Sequence, residues 1–246
     1  MTQIQAAGAA AGEGTARTIL IGDVHGCAAA LSALLELAAP VEGDTLVMLG
    51  DLFDRGPDSF EVYQKVQALS EAFGSRFVLL RGNHEDYLLA QRLTLGQRIV
   101  WERVGRRATV SSFREHGARM EDAIPFLQSR CVPWWKGGRL QAVHAGLRKD
   151  PPEANDLFTL IHDHGVGPSN RYAGPLTVFG HIALDCAMHF AGDGKTRNLL
   201  PWGEWLPLPR YGALCIDTGC GKGGRLTAMI VSGGQYRLEC VPERGA

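Results

Sequence analysis

The sequence predicts an α/β fold in which a mostly parallel sheet is followed by a second, mixed or antiparallel sheet. Short apolar runs at 18–21, 45–49 and 77–80 each end in a glycine-flanked polar loop, as buried strands do. The stretches between them repeat apolar residues at helical spacing. From Arg139 onward, strand-like runs succeed one another without long helices between them.

Taken in order, 18–21 is the first strand, and 28–39, with Leu31, Leu34, Leu35 and Ala38 on one face, crosses to 45–49. Residues 59–72, with Phe60, Val62, Val66 and Leu69, cross in the same way to 77–80. A β-α-β-α-β order returns each strand to the same end of the sheet, so the strands run parallel and ligands gather beyond their carboxyl ends. Residues 87–116 predict helices broken near Gly96 and Gly105, part of a cap over about 87–125 that flanks a cleft. Trp134 and Trp135 fall near the start of the second sheet. Its strands are expected at 140–143, 176–179, 187–190, 211–216, 226–231 and 236–241, with 192–209 as a long loop. Nothing in the middle resembles a linker, so 17–246 reads as one domain behind a flexible tail at 1–16.

Composition narrows the class. Of 246 residues, 45% are hydrophobic and 21% charged, which suits a soluble chain with a sizeable core. A net charge of −1 without long basic runs argues against a nucleic-acid footprint. No apolar run approaches the roughly 20 residues of a membrane span. Cys27, Cys131, Cys186, Cys215, Cys220 and Cys240 are scattered without a C-x-x-C pair, and the N-terminal stretch lacks the basic and leucine-rich regions of a secretory signal. The expected compartment is the cytoplasm, and the expected state a monomer.

Five segments carry the chemistry: Gly22-Asp23-Val24-His25-Gly26, Gly50-Asp51 through Asp54-Arg55-Gly56, Gly82-Asn83-His84-Glu85, Val143-His144-Ala145-Gly146 and Gly180-His181. A lone Asp or His beside glycine is equally a turn or a cap, but five in this order read as a site. Carboxylates, imidazoles and an amide oxygen suit hard or borderline divalent ions, and two ions about 3.5–4 Å apart can share one carboxylate. Asp23 and His25 can hold one ion, Asp51 can bridge, and Asn83, His144 and His181 can hold the second. No segment contains a cysteine ligand, which argues against a closed structural zinc site. Two such ions make hydroxide available from a bridging water near neutral pH and neutralise phosphoryl oxygens during in-line attack. His84 is then free to act as general acid, with Asp54 orienting it. Arg55 and Arg81 offer planar forks for phosphate, Arg81 reading equally as an ion-pair partner of Asp54. His162 and His164 read as a solvated loop, and Arg103, Arg106 and Arg107 as a solvated helix face.

In order and spacing these segments resemble the calcineurin-like metallophosphoesterases. The forms Asp51-Leu52-Phe53-Asp54-Arg55-Gly56 and Leu80-Arg81-Gly82-Asn83-His84-Glu85 resemble the phosphoprotein phosphatase branch in particular. The resemblance covers about 18–231. It implies a four-layer αββα sandwich of two mixed sheets with a dinuclear metal site at the carboxyl ends of the strands. It also implies Asp23, His25 and Asp51 on one metal, with Asp51, Asn83, His144 and His181 on the other. His84 and Asp54 become the acid pair, and Arg55 and Arg81 lie at the phosphate. Ile216-Asp217-Thr218-Gly219-Cys220 and Gly223-Gly224-Arg225-Leu226-Thr227 resemble the closing segment of bacterial serine/threonine phosphatases and symmetrical dinucleoside tetraphosphatases. In two places the chain departs from the pattern: 157–165 lacks the family's second phosphate-binding arginine, so that either Arg171 serves instead or phosphate binding is altered, and Gly105-Arg106-Arg107-Ala108-Thr109 replaces a Gly-Gly pair before Ala-Thr.

The expected activity is therefore metal-dependent phosphomonoester hydrolysis of the serine/threonine protein phosphatase kind, on a phosphorylated protein or a small phosphoester. Two manganese ions are the expected cofactor, iron and zinc also fitting. Symmetrical hydrolysis of a dinucleoside polyphosphate such as diadenosine tetraphosphate is the alternative, and a non-catalytic phosphate-binding scaffold ranks below it.

Overall fold

The computed structural model describes residues 16–165 and 169–243, so all of the expected tail except Ala16 lies outside it. Strands β1 (Thr18–Ile21), β2 (Thr45–Met48) and β3 (Phe77–Leu80) pair in parallel, joined by helices α1 (Ala28–Ala38) and α2 (Ser59–Phe73). Their side chains are apolar in succession because both faces of the sheet are covered. Ile19 and Ile21 pack with Leu31, Leu34, Val62 and Val66 of the two helices, while Leu20 points the other way, toward the second sheet. The register sets Ile21 opposite Met48 and Met48 opposite Leu79. All three polar loops therefore leave the sheet side by side.

The helical region begins earlier than expected. Helix α3 (Asn83–Leu89) starts inside the Gly82-Asn83-His84-Glu85 segment, and α4 (Leu95–Arg103) and α5 (Arg106–Glu115) follow. The first interruption lies before Thr94, which caps α4 through Gln97, so Gly96 sits inside a helix; the second falls at Gly105 as expected. Helix α6 (Ile124–Arg130) leads into β4 (Cys131–Val132), which extends the first sheet beyond β3.

The second sheet contains β5 (Trp134–Gly137), β6 (Leu140–Val143), β7 (Thr177–Phe179), β8 (Met188–Phe190), β9 (Arg197–Leu199) and β11 (Ala213–Cys215), in the order β5-β6-β7-β11-β8-β9. The expected loop at 192–209 thus holds β9 and also β10 (Leu206–Pro207). Residues 197–199 are exposed throughout, so no buried face marked β9 in the sequence.

The last two strands, β12 (Arg225–Ser232) and β13 (Gln235–Pro242), exist where expected but belong to the first sheet. β12 lies antiparallel against β1, with Ile19 opposite Ile230. It buries Leu226, Ala228 and Ile230 toward the helices and Met229 toward the second sheet, which only an interior position permits. It also covers the edge that β1 would otherwise leave unpaired.

Three apolar clusters match the layers. One lies between the helices and the first sheet, one between the sheets, and one on the outer face of the second sheet under α7 (Leu157–Ile161). The architecture is an αββα sandwich of two mixed sheets whose outer layer on one side is thin. Among the described residues no helix is long and apolar enough to cross a membrane.

Candidate metal centre and acid pair

The ligand loops are bound to one another before any ion enters. The amides of Val24 and His25 donate to the Asp51 carbonyl at 3.1 and 2.9 Å, and Gly26 N donates to the Leu52 carbonyl at 2.8 Å. His25, Asp51, Asp54, Arg55 and His181 all have φ between 46° and 69°, and they are five of the seven non-glycine residues in that region among the described residues. Such backbone costs about 1–3 kcal/mol per residue and persists where its surroundings over-determine it. Close approach explains two glycines. A Cβ on Gly82 would lie 2.2 Å from Asp51 Oδ1, and one on Gly180 2.0 Å from Asp23 Oδ1.

Glu85, which the sequence reading left without a role, is the strut of this loop cluster. Its buried carboxylate accepts from Asp51 N and Leu52 N at 2.8 Å and from Gly82 N at 3.0 Å. Its place three residues after the helix-capping Gly82 was the available signal. Glu85→Ala would strand buried amides and should lower the stability of the metal-free protein by about 3 kcal/mol. Urea denaturation checks this, and a loss under about 0.5 kcal/mol, the usual size for an inert surface change, would count against the strut.

The structure brings the predicted ligands together around Asp51, which is 1% exposed. Asp51 Oδ2 lies 3.5 Å from His25 Nε2, and Oδ1 lies 3.3 Å from His144 Nε2. Asn83 Oδ1 lies 3.1 Å from His144 Nε2 and 2.9 Å from His181 Nδ1. Two three-residue groups, His25–Asp51–His84 and Asp51–His144–His181, have their donor atoms within 4.8 Å of one another and share Asp51. Asp23 stands slightly apart, its Oδ2 4.0 Å from His25 Nε2. Asp23 Oδ1 and His25 Nε2 are buried without any hydrogen-bond partner. Orphaned donor atoms converging around a shared carboxylate fit two divalent ions.

The electrostatics point the same way. Burial and the Asp217 carboxylate push the Asp23 carboxyl well above its usual range. Burial would lower His144, but Asp51 and then Asp23 outweigh it and push the imidazole up to about 10. Burial and the neighbouring His144 push His181 down to about 2. Without cations the site therefore recruits protons to offset its carboxylates, and ion binding must displace them.

Beside this cluster, His84 Nδ1 lies 2.6 Å from Asp54 Oδ2, with both side chains buried. Burial alone would lower the His84 pKa, but Asp51 and Asp54 raise it overall, which favours a proton on the ring. Asp54 also accepts from Trp101 Nε1 and Thr109 Oγ1, each at 2.7 Å. Neither partner was anticipated from the sequence, since they lie 47 and 55 positions away.

Arg55 forms no ion pair within 4 Å with a described carboxylate, so its guanidinium is available. Arg81 pairs with Asp86 at 2.5 Å, which corrects the sequence-based pairing with Asp54. Asp86 also binds His162 Nε2 at 2.9 Å. The solvated-loop reading is corrected for His162, which is half-buried and paired, whereas His164 is exposed on a turn as expected, though close to a predicted ligand. His164 Nδ1 lies 3.3 Å from His181 Nε2, with ring centroids 4.2 Å apart. Arg171 lines a cavity with Arg148 and Tyr172 and none of the predicted ligands. Arg106 is not simply solvated, since it lies 5.0 Å over the Trp101 ring and pairs with Glu102 at 2.7 Å.

The calcineurin-like phosphoesterase family matches residues 16–225, most of the chain and every predicted ligand. The chain belongs to the calcineurin-like phosphoesterases. Among relatives, it is 47% identical over 263 residues to a symmetrical bis(5'-nucleosyl)-tetraphosphatase of Pectobacterium carotovorum subsp. carotovorum, covering 86% of this chain and 90% of that one. It is 28% identical over 276 residues to the enzyme of the same name from Methylobacillus flagellatus, covering 93% and 97%. A metallophosphoesterase structure from Sphaerobacter thermophilus superposes with a TM-score of 0.63 at 20% identity, covering 93% of this chain and 88% of that one, which supports the fold alone. As a calcineurin-like phosphoesterase the chain is a hydrolase of phosphoric esters with a two-metal site.

Proposed function

We propose that this phosphoesterase hydrolyses dinucleoside polyphosphates, cleaving diadenosine tetraphosphate symmetrically. The observation that carries the substrate class is the 47% identity, over most of both chains, to a relative that bears this activity in its name. It reverses the order of the two sequence-based readings. The cap offers room for such a substrate. Tyr87, Trp101, Arg92, Arg98 and Arg106 line a cavity of about 440 Å³, within the range of small-ligand sites.

In this reading Asp23, His25 and Asp51 hold one ion, and Asp51, Asn83, His144 and His181 the other. Two manganese ions are the proposed pair, with iron and zinc also matching these donors. When bound, the ions supply an activated water and neutralise phosphoryl charge. Arg55 orients the phosphate that is attacked, and Arg81, steered by Asp86, stands behind it. His84 donates a proton to the leaving oxygen from Nε2 while Asp54 holds Nδ1. The six unpaired cysteines support a cytoplasmic setting.

A serine/threonine protein phosphatase is the second reading, favoured by the forms of the Asp51–Gly56 and Leu80–Glu85 segments. The manganese-loaded protein separates the two when offered diadenosine tetraphosphate and a phosphoserine peptide in parallel. Faster turnover of the dinucleotide, with ADP as the sole nucleotide product, is expected. ATP with AMP would move the reading to asymmetrical cleavage, and preference for the peptide would restore the protein phosphatase.

A further inference from the structure

We propose that Trp101 and Thr109 of the cap are positioning residues for the acid, holding the Asp54 carboxylate in the one orientation that presents His84 Nε2 to the leaving oxygen. The inference rests on the reading of His84 as general acid.

A histidine–aspartate contact by itself leaves the carboxylate free to rotate. Here both oxygens are engaged. Oδ2 receives the His84 ring at 2.6 Å and the Trp101 N–H at 2.7 Å, and Oδ1 receives the Thr109 hydroxyl at 2.7 Å. The three partners come from α3, α4 and α5, so a loop residue with φ of 69° is held from three helices. Thr109 also accepts the Asp54 amide at 2.8 Å, gripping the residue at backbone and side chain. Ser59 Oγ lies 3.1 Å from the same hydroxyl. With Thr109 donating to Asp54, Ser59 must be the donor in that contact.

The Trp101 ring is itself fixed. Tyr87 stacks on it at 5.8 Å with 27° between the planes, and Arg106 lies over it at 5.0 Å. Trp101 is 7% exposed and Thr109 0%, so water does not compete for Asp54 at these positions. With Nδ1 committed to Asp54, His84 turns Nε2 toward the ligand cluster, 3.8 Å from Asp51 Oδ2. Docking of α4 and α5 therefore completes the acid. Displacing a catalytic group by about 1 Å can cost on the order of a hundredfold in rate, so an orientation held this way matters to turnover.

The test compares two aryl esters that differ in their need for a proton. p-Nitrophenolate departs unaided near neutral pH, whereas phenolate needs an acid. In Trp101→Phe and Thr109→Val, kcat for phenyl phosphate should fall about tenfold more than kcat for p-nitrophenyl phosphate, a fraction of the roughly hundredfold or more that a general acid contributes. Thr109→Ser, which keeps the hydroxyl, should restore the phenyl phosphate rate. Equal losses on both esters would show a packing role and overturn the proposal. A second readout does not depend on turnover: the downfield proton resonance of His84 Nδ1–H in the metal-free protein. It should shift or exchange faster in both variants, and an unchanged resonance overturns the positioning role. If the wild type hydrolyses neither ester, its specificity is confined to polyphosphates, and the resonance alone decides whether the cap orients Asp54: unchanged in both variants it overturns the proposal, shifted it sustains it.

Discussion

Asp51→Asn should lower turnover about a thousandfold, equivalent to ~4 kcal/mol of lost transition-state stabilisation, and should leave the protein with fewer than two ions. Asp51 is shared by both ligand groups and faces a different imidazole with each oxygen, His25 at 3.5 Å and His144 at 3.3 Å. Asparagine keeps the size but removes the charge and one acceptor. Elemental analysis alongside kinetics checks the result; an active variant with two ions would remove Asp51 from the centre. Loading the wild type should also release protons. His144, pushed up to about 10, is protonated in the metal-free protein at neutral pH, and an ion must displace that proton. Metal affinity should accordingly strengthen as pH rises toward that value. Calorimetry in buffers of different ionisation enthalpy reads the protons directly, and a binding heat that does not vary with buffer would count against this account.

His84→Gln should lower kcat about a hundredfold to ten-thousandfold on substrates with poor leaving groups, while metal content stays at two. The metal content is the discriminating measurement, because His84 falls with His25 and Asp51 in one of the two potential ligand groups. The structure favours the acid. Its Nδ1 is taken by Asp54 at 2.6 Å, and its Nε2 is farther from Asp51 than the corresponding atoms of His25 and His144. Loss of an ion from the variant would make His84 a ligand and leave the leaving group without this donor.

Much of this was legible before the structure. An apolar run that stops at glycine and then shows a carboxylate or an imidazole marks a strand end, and the chain repeats that local signal at 22–23, 50–51 and 180–181, with close variants at 82–84 and 143–146. The parallel core followed from helical spacing between the first three runs. What could not be read had no local signature. β12 has an ordinary strand pattern, and nothing in 225–232 states that its partner is 18–21. Residues 197–199 are exposed, so they carry no periodicity. His164 resembles any loop histidine until the fold sets its ring against His181.

The sequence alone determined the donor types and their order: oxygen and imidazole ligands at the ends of buried strands, an unclaimed histidine beside an asparagine, and arginines nearby. Those properties reside in residue identity and short-range spacing. Only the tertiary structure decided that Glu85 ties the Asp51 loop, that Arg81 turns to Asp86, and that Trp101 and Thr109 grip Asp54 across 47 and 55 residues. Each of these is a contact between segments distant in sequence, set by strand register and helix docking, and a linear pattern of residues does not encode it locally.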